Sequence, residues 1–331
     1  MNMKIAFVGK GGSGKTTLSS LFIRRLAARR VPVTAVDADI NQHLGVALGL
    51  TEEQAAAMPP MGERLPLIKE HLRGDNPRIL SAETMIKTTP PGEGSRLLRL
   101  AEDNPVFDAC ARTVPLDDGA ARLLVTGPFT EDDLGVACYH SKTGAVELVL
   151  NHLVDGRGEF LVVDMTAGSD SFASGMFTRF DTTFLVAEPT RKGVSVYRQY
   201  RDYARDFGVA LRVVGNKVQG QDDLDFLRAE VGDDLVVAFG QSDWVRALER
   251  GVQRPFAELE PENARALDAL YEAADASYAA RDWERYTQQM VHFHLKNAAS
   301  WGNERTGADL AAQVDPGFTL AEEPRPSPQP A

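Results

Sequence analysis

The sequence is poor in cysteine, in basic charge and in long apolar runs, and each shortage excludes something. With 2 cysteines in 331 residues it cannot build a disulfide scaffold, and one chain cannot give four thiolates to a metal. Its 36 basic residues face 47 acidic ones, and the net charge of −11 argues against non-specific nucleic-acid binding and a polybasic grip on anionic lipid. No apolar run approaches the ~20 residues that a bilayer span needs. Met1 to Gly9 runs straight into a glycine-rich loop, without the n-region and cleavage site of a signal peptide. The expectation is a cytoplasmic protein with no nucleic-acid partner and no stable membrane anchor. The composition, 43% hydrophobic, is that of an ordinary globular chain, and at ~100–200 residues per domain it suffices for one large domain or two small ones.

Short apolar runs alternate with longer helical patterns. Candidate strands are Ile5–Val8, Val33–Val36, Leu123–Thr126, Phe160–Val163, Thr183–Val186, Leu211–Val214 and Leu235–Ala238. They are rich in Val, Ile, Leu and Phe with little polar alternation, as strands buried on both faces of a parallel sheet are. Helical patterns fall at Thr17–Arg29, about Gly144 to Val154 and about Val194 to Phe207. The alternation predicts an α/β fold with a doubly wound, mostly parallel sheet. Residues 50–120, with prolines scattered through them, read as an insertion carrying short helices. Residues 259–301 read as a C-terminal helical segment, with Trp283, Tyr286, Met290 and Phe293 spaced to pack on the domain. Residues 302–331 turn polar and end in alternating prolines, which predicts a disordered tail after a main domain spanning 1–258.

Gly9-Lys10-Gly11-Gly12-Ser13-Gly14-Lys15-Thr16 matches G-x-x-x-x-G-K-[ST]. A chance match occurs in roughly one chain per hundred of this length, and here the loop also follows a strand and opens a helix at Thr17. Glycines let backbone N–H groups curl around phosphate oxygens, and the helix N-terminus adds partial positive charge. Lys15 would bridge the β- and γ-phosphates of ATP, and the Thr16 hydroxyl would ligate Mg²⁺. Val33–Val36 leads into Asp37-Ala38-Asp39-Ile40-Asn41, putting two carboxylates at the same sheet edge; capping groups after a strand are the blander reading. Phe160–Val163 ends in Asp164, a Walker B pattern whose carboxylate would hold Mg²⁺, and Gly168 would let backbone approach the γ-phosphate. Asn216 follows a further strand, where its amide can offer donor and acceptor to an adenine edge.

The loop's early lysine, Lys10, resembles that of the deviant Walker A motif in the MinD/ParA and nitrogenase-iron-protein group of dimeric P-loop ATPases. The resemblance implies that Lys10 reaches across an ATP-dependent homodimer to the partner's phosphates, that Asp39 positions the attacking water, and that Asp37 supports the metal shell. It implies nucleotide contacts from Gly11 to Thr17, from Gly168, from Asn216-Lys217, and from Pro255 in a loop flanking the base. A solvated Lys10 is the alternative. Ile40 stands where the family commonly has proline.

Val162–Gly168, Glu188–Lys192 and Val214–Val218 resemble most the CooC-type ATPases that help mature nickel-containing carbon monoxide dehydrogenase. Those proteins carry Cys-x-Cys where this chain has Cys138-Tyr139-His140. Two Cys138 and two His140 across a twofold axis would suit Zn²⁺, with Ni²⁺ put in doubt by the departure; a small packing residue and a surface group are the bland alternative. A nitrogenase-like cluster fails on arithmetic, because no cysteine follows Asp164. His292 and His294, two apart on a helix, face away from each other. The function expected is a Mg-dependent ATPase switch acting on a client protein, itself a metalloprotein by resemblance. The alternative is a nucleotide-gated partner-binding or positioning protein with little turnover.

Overall fold

The computed structural model describes residues 3–39, 41–128, 143–154, 158–165, 172, 175–277 and 281–321. Eight strands form one sheet: β1 (Met3–Gly9), β2 (Val33–Ala38), β3 (Arg112–Leu116), β4 (Gly119–Val125), β5 (Phe160–Met165), β6 (Thr182–Ala187), β7 (Leu211–Val218) and β8 (Leu235–Gly240). Their spatial order is β3-β4-β2-β5-β1-β6-β7-β8, and every pairing is parallel except the β3–β4 hairpin at one edge. β3 escapes a reading for apolar runs because it is an edge strand with mostly exposed positions and a proline, Pro115, that an interior strand would not tolerate.

Alternate residues of β1 feed two cores. Met3, Ile5 and Phe7 pack with Leu18, Phe22 and Leu26 of α1 (Lys15–Ala28), whereas Ala6 and Val8 lie in the opposite layer. This two-sided burial is why the strands read as continuous apolar runs. The second layer holds α2 (Leu65–Arg73), α3 (Gly144–Asn151), α4 (Arg191–Ala204) and α5 (Gln221–Val231), with Ile68, Leu72, Leu148, Val194 and Leu227 in its core. α2 has Pro66 in its first turn, where no intrahelical bond is lost, and stops at Gly74, whose φ of 55° suits glycine. Thr190 caps α4 by accepting from Gly193 N at 2.9 Å. The stretch 50–120 carries short helices as expected, and its Met61, Ile79, Leu98 and Phe107 belong to the same core as the sheet.

After β8 come α6 (Asp243–Glu249), α7 (Pro261–Ser277) and α8 (Trp283–Asn297). Tyr286 and Met290 of α8 are buried, and Phe293 packs edge-on against Phe177. Order does not stop at 302. Asn303–Thr306 and Leu310–Gln313 are helical turns, and Leu310 and Leu320 are fully buried. Gln313 donates to the Thr84 carbonyl at 3.3 Å, and Asp315 accepts from Glu93 N at 3.0 Å, tying this segment onto the 50–120 stretch. The expected disordered tail is therefore corrected through residue 321: two isolated leucines in a polar run anchor it, too few to show a period. Among the described residues no helix is long and apolar enough to cross a membrane.

Candidate nucleotide site

The loop between β1 and α1 lies at the carboxyl end of the central strand, where open α/β sheets place their ligands. Gly12 and Gly14 hold φ values of 82° and 94°, in the left-handed region that glycine enters without strain. A Cβ added at Gly11 or Gly12 would meet nothing within 4 Å, so that arc of backbone faces open space. At Gly14 the added carbon would fall 2.2 Å from the Asn216 amide nitrogen, which donates to the Ser13 carbonyl at 2.7 Å. Asn216 thus closes the loop from behind. Lys217 does the same from outside, donating to the Gly12 carbonyl at 2.8 Å and pairing with Glu188.

Inside the loop four ionic groups converge. The Lys15 ammonium pairs with Asp39, both of them buried. The Thr16 hydroxyl donates to Asp164 Oδ2 at 2.6 Å, while buried Asp164 Oδ1 has no hydrogen-bond partner among the described residues. Burial pulls the Lys15 pKa down, but Asp164, Asp39 and Asp37 together hold it above its ordinary value. Burial pushes Asp164 up to about 6, against the opposing pull of Lys15 and Thr16. Asp37 rises to about 8, from burial first and then from the Asp164 charge. Its oxygens are committed to backbone, accepting from Leu44 N at 2.9 Å and Asp39 N at 3.2 Å. Asp37 therefore braces the loop that carries Asp39, each of its oxygens accepting one backbone N–H.

A cleft of about 680 Å³ opens along this cluster. Gly11, Gly12 and Gly14 to Thr17 line one end, with Asp39, Asn41 and His43 on one flank and Asn216 and Lys217 on the other. The far end is made by Phe239, Gly240, Ser242, Val245 and Arg246 at the carboxyl end of β8, which the sequence reading missed. The strand-end rule flags that position, but nothing in Gly-Gln-Ser-Asp marks it chemically. Pro255, expected to flank the base, is not brought to the cleft; its carbonyl instead accepts from Trp244 Nε1 at 3.0 Å and fixes α6. The Lys10 side chain is half-buried and makes no ion pair with a described residue, while its carbonyl accepts from Ser13 N at 3.0 Å.

The donor set fits a nucleotide and Mg²⁺: an open cradle of backbone N–H groups, a lysine, a hydroxyl and a buried carboxylate oxygen without a partner. Gly168, Cys138 and His140 lie outside the described residues. Among the described residues no three His, Cys, Asp or Glu side chains converge as a metal site, and His294 is spent on structure, its Nε2 at 2.9 Å from the Leu310 carbonyl.

The model of the CobQ/CobB/MinD/ParA nucleotide binding domain matches residues 5–234. An uncharacterized ATP-binding protein of Methanocaldococcus jannaschii is 31% identical over 238 residues, covering 71% of this chain and 83% of the relative. The carbon monoxide dehydrogenase accessory protein CooC of Rhodospirillum rubrum is 28% identical over 226 residues, 68% of this chain and 78% of that protein. Among solved structures, a chain of the MinC:MinD cell division protein complex of Aquifex aeolicus superposes with a TM-score of 0.55 at 16% identity, over 84% of this chain and 98% of that one. Pyrococcus horikoshii MinD with Mg-ADP gives 0.54 at 15% identity, over 83% and 96%. At these identities the structures speak for the fold.

Proposed function

Because the chain belongs to the CobQ/CobB/MinD/ParA nucleotide-binding family, we propose that it is a Mg-dependent ATPase that works as a dimerising switch on a client protein. The observation that carries this reading is the convergence of Lys15, Thr16, Asp39 and Asp164 on a glycine cradle, with one buried carboxylate oxygen left unmatched. Backbone N–H groups from Gly11 to Thr16 hold the phosphates, and Lys15 leaves Asp39 for the β- and γ-phosphate oxygens. Thr16 and Asp164 are the residues that would hold Mg²⁺, which when bound compensates phosphate charge. Asp39, released from Lys15, orients the water whose oxygen bonds to the γ-phosphorus as the bridging bond breaks. Lys10 supplies its charge to the partner's phosphates. Asn216 and the far end, Phe239 to Arg246, hold the base.

Hydrolysis returns Lys15 to Asp39 and relaxes the Asp37–Asn41 loop, which changes the surface offered to the client. A metalloprotein client is supported by the relative that is a carbon monoxide dehydrogenase accessory protein. The test measures ATP turnover and particle size. Wild type is expected to be monomeric with ADP and dimeric with a non-hydrolysable ATP analogue, and Lys15→Ala to lose turnover. Wild-type turnover in both Lys10→Ala and Lys15→Ala would overturn the reading.

A further inference from the structure

A second cavity, of about 780 Å³, shares no lining residue with the nucleotide cleft. Four stretches far apart in sequence build it: 60–87, Thr126–Pro128 just after β4, Gly144 at the start of α3, and the C-terminal turn at 301–306. Leu65, Met85 and Ile86 make its apolar wall, and the Trp301 ring its aromatic one. Its size is that of a small-molecule site, and mixed apolar walls with a few charges are the usual lining of one.

Its cations are poorly neutralised. Lys87 has a carboxylate, Glu147, at 4.0 Å. Lys69 and Arg305 have none: neither makes an ion pair or hydrogen bond with a described residue, and Arg305 lies 5.8 Å over the Trp301 ring. Glu63 and Glu83 also line the cavity, and both are exposed. Burial, then the Arg305 charge, lowers the Lys69 pKa, and Glu83 opposes less strongly than Arg305 acts. The lining sets three cations, Lys69, Lys87 and the exposed Arg305, against two carboxylates, Glu63 and Glu83, a surplus that an anion would match. A carboxylate carries one charge, whereas a phosphate monoester carries about −1.5 to −2 at neutral pH and matches two cations.

We propose that this cavity binds a small organic phosphate with a flat, partly apolar body, its phosphate between Lys69 and Arg305 and its ring against Trp301. The site is separate from the nucleotide cleft, and its occupancy does not rest on ATP turnover.

Pyridoxal 5′-phosphate is a suitable probe: it has the ring, the phosphate and an aldehyde that condenses with a lysine amine, losing water, to an imine that borohydride reduces. Full-length protein saturated with Mg-ADP is treated, and labelled lysines are mapped by mass spectrometry. Lys69 is expected to label ahead of the exposed Lys192 and Lys296. Arg305→Gln is expected to lower Lys69 labelling about ten-fold, the loss of one charge-assisted contact, and to leave Lys192 labelling and ADP binding unchanged. Pyridoxamine 5′-phosphate, which has no aldehyde, is expected to protect Lys69 better than inorganic phosphate does. Labelling of Lys69 no faster than Lys192, or insensitive to Arg305→Gln, overturns the site; equal protection by inorganic phosphate overturns the ring contact with Trp301.

Discussion

Charge is buried at both ends of the sheet, and the two burials are built differently. At the carboxyl end, Asp37, Asp39, Asp164 and Lys15 crowd together, with an orphaned Asp164 oxygen and carboxyl groups pushed upward by burial. At the amino end, Lys4 and Arg179 are buried and Asp181 and Arg281 nearly so, yet these charges are matched. Arg281 forks onto Asp181 at 2.8 and 2.5 Å, and Asp181 also accepts from Lys4 N at 2.8 Å. Arg179 donates to the Tyr286 carbonyl at 3.0 Å and stacks on that ring at 4.3 Å, and Lys4 Nζ donates to the Leu153 carbonyl at 2.7 Å. A completed network fixes the C-terminal helix α8 to the sheet; an incomplete one has its remaining partners to come from a ligand.

That contrast can be broken from either side. The largest effect is expected at Lys10: Lys10→Ala should lower ATP turnover by about 10³-fold, the scale of a cation delivered in trans, with the unfolding midpoint unmoved. Turnover within a factor of two of wild type would remove Lys10 from the mechanism. At the amino end, Asp181→Ala leaves Arg281 buried without its carboxylate and should cost about 3–5 kcal/mol in urea unfolding, while the folded fraction binds nucleotide as before. A loss of nucleotide affinity there would mean that the two ends are not separate.

Gly175→Ala is a milder break on the same side. Its new carbon would lie 2.7 Å from Phe293 of α8, an overpacking expected to cost about 1–3 kcal/mol. A neutral result would mean that α8 is free to shift.

The last test is pH. Asp37 and Asp164, raised to about 8 and about 6, keep protons in the folded state that the unfolded chain releases near pH 4. The folded state then binds more protons, so their contribution to stability is full below about pH 4 and is lost as pH rises through about 6 and about 8. The slope for each carboxyl is at most about 1.4 kcal/mol per pH unit. Without nucleotide, the wild-type stability minus that of Asp164→Asn should fall with pH across this window; a rise would reverse the assigned shift.

The sequence carried the sheet well because its strands are buried on both faces, and seven of them appear as apolar runs, each within a few residues of its observed bounds. β3 was hidden by its edge position and Pro115. The phosphate loop, the strand-end aspartates and Asn216 were legible because each sits in the last residues of a strand or just past it. The base end was not, since Phe239 to Arg246 reach the cleft through the parallel pairing of β7 with β8, and no local spacing encodes that. The place of Pro255, outside the cleft lining, depends likewise on where Trp244 packs. The ordered stretch after 302 rests on Leu310 and Leu320, two anchors without a period.

The close approach of Asn216 to Gly14 has a consequence for how this chain can vary over generations. Any side chain at position 14 would drive the amide off the Ser13 carbonyl, unfastening the phosphate cradle and moving the base-facing group in one stroke. Positions 14 and 216 are thus coupled, though they lie 202 positions apart. A smaller residue at 216 would relieve that clash but not the φ of 94° at position 14, so a library randomising both should still recover glycine at 14, while 216 varies only at the cost of the Ser13 contact.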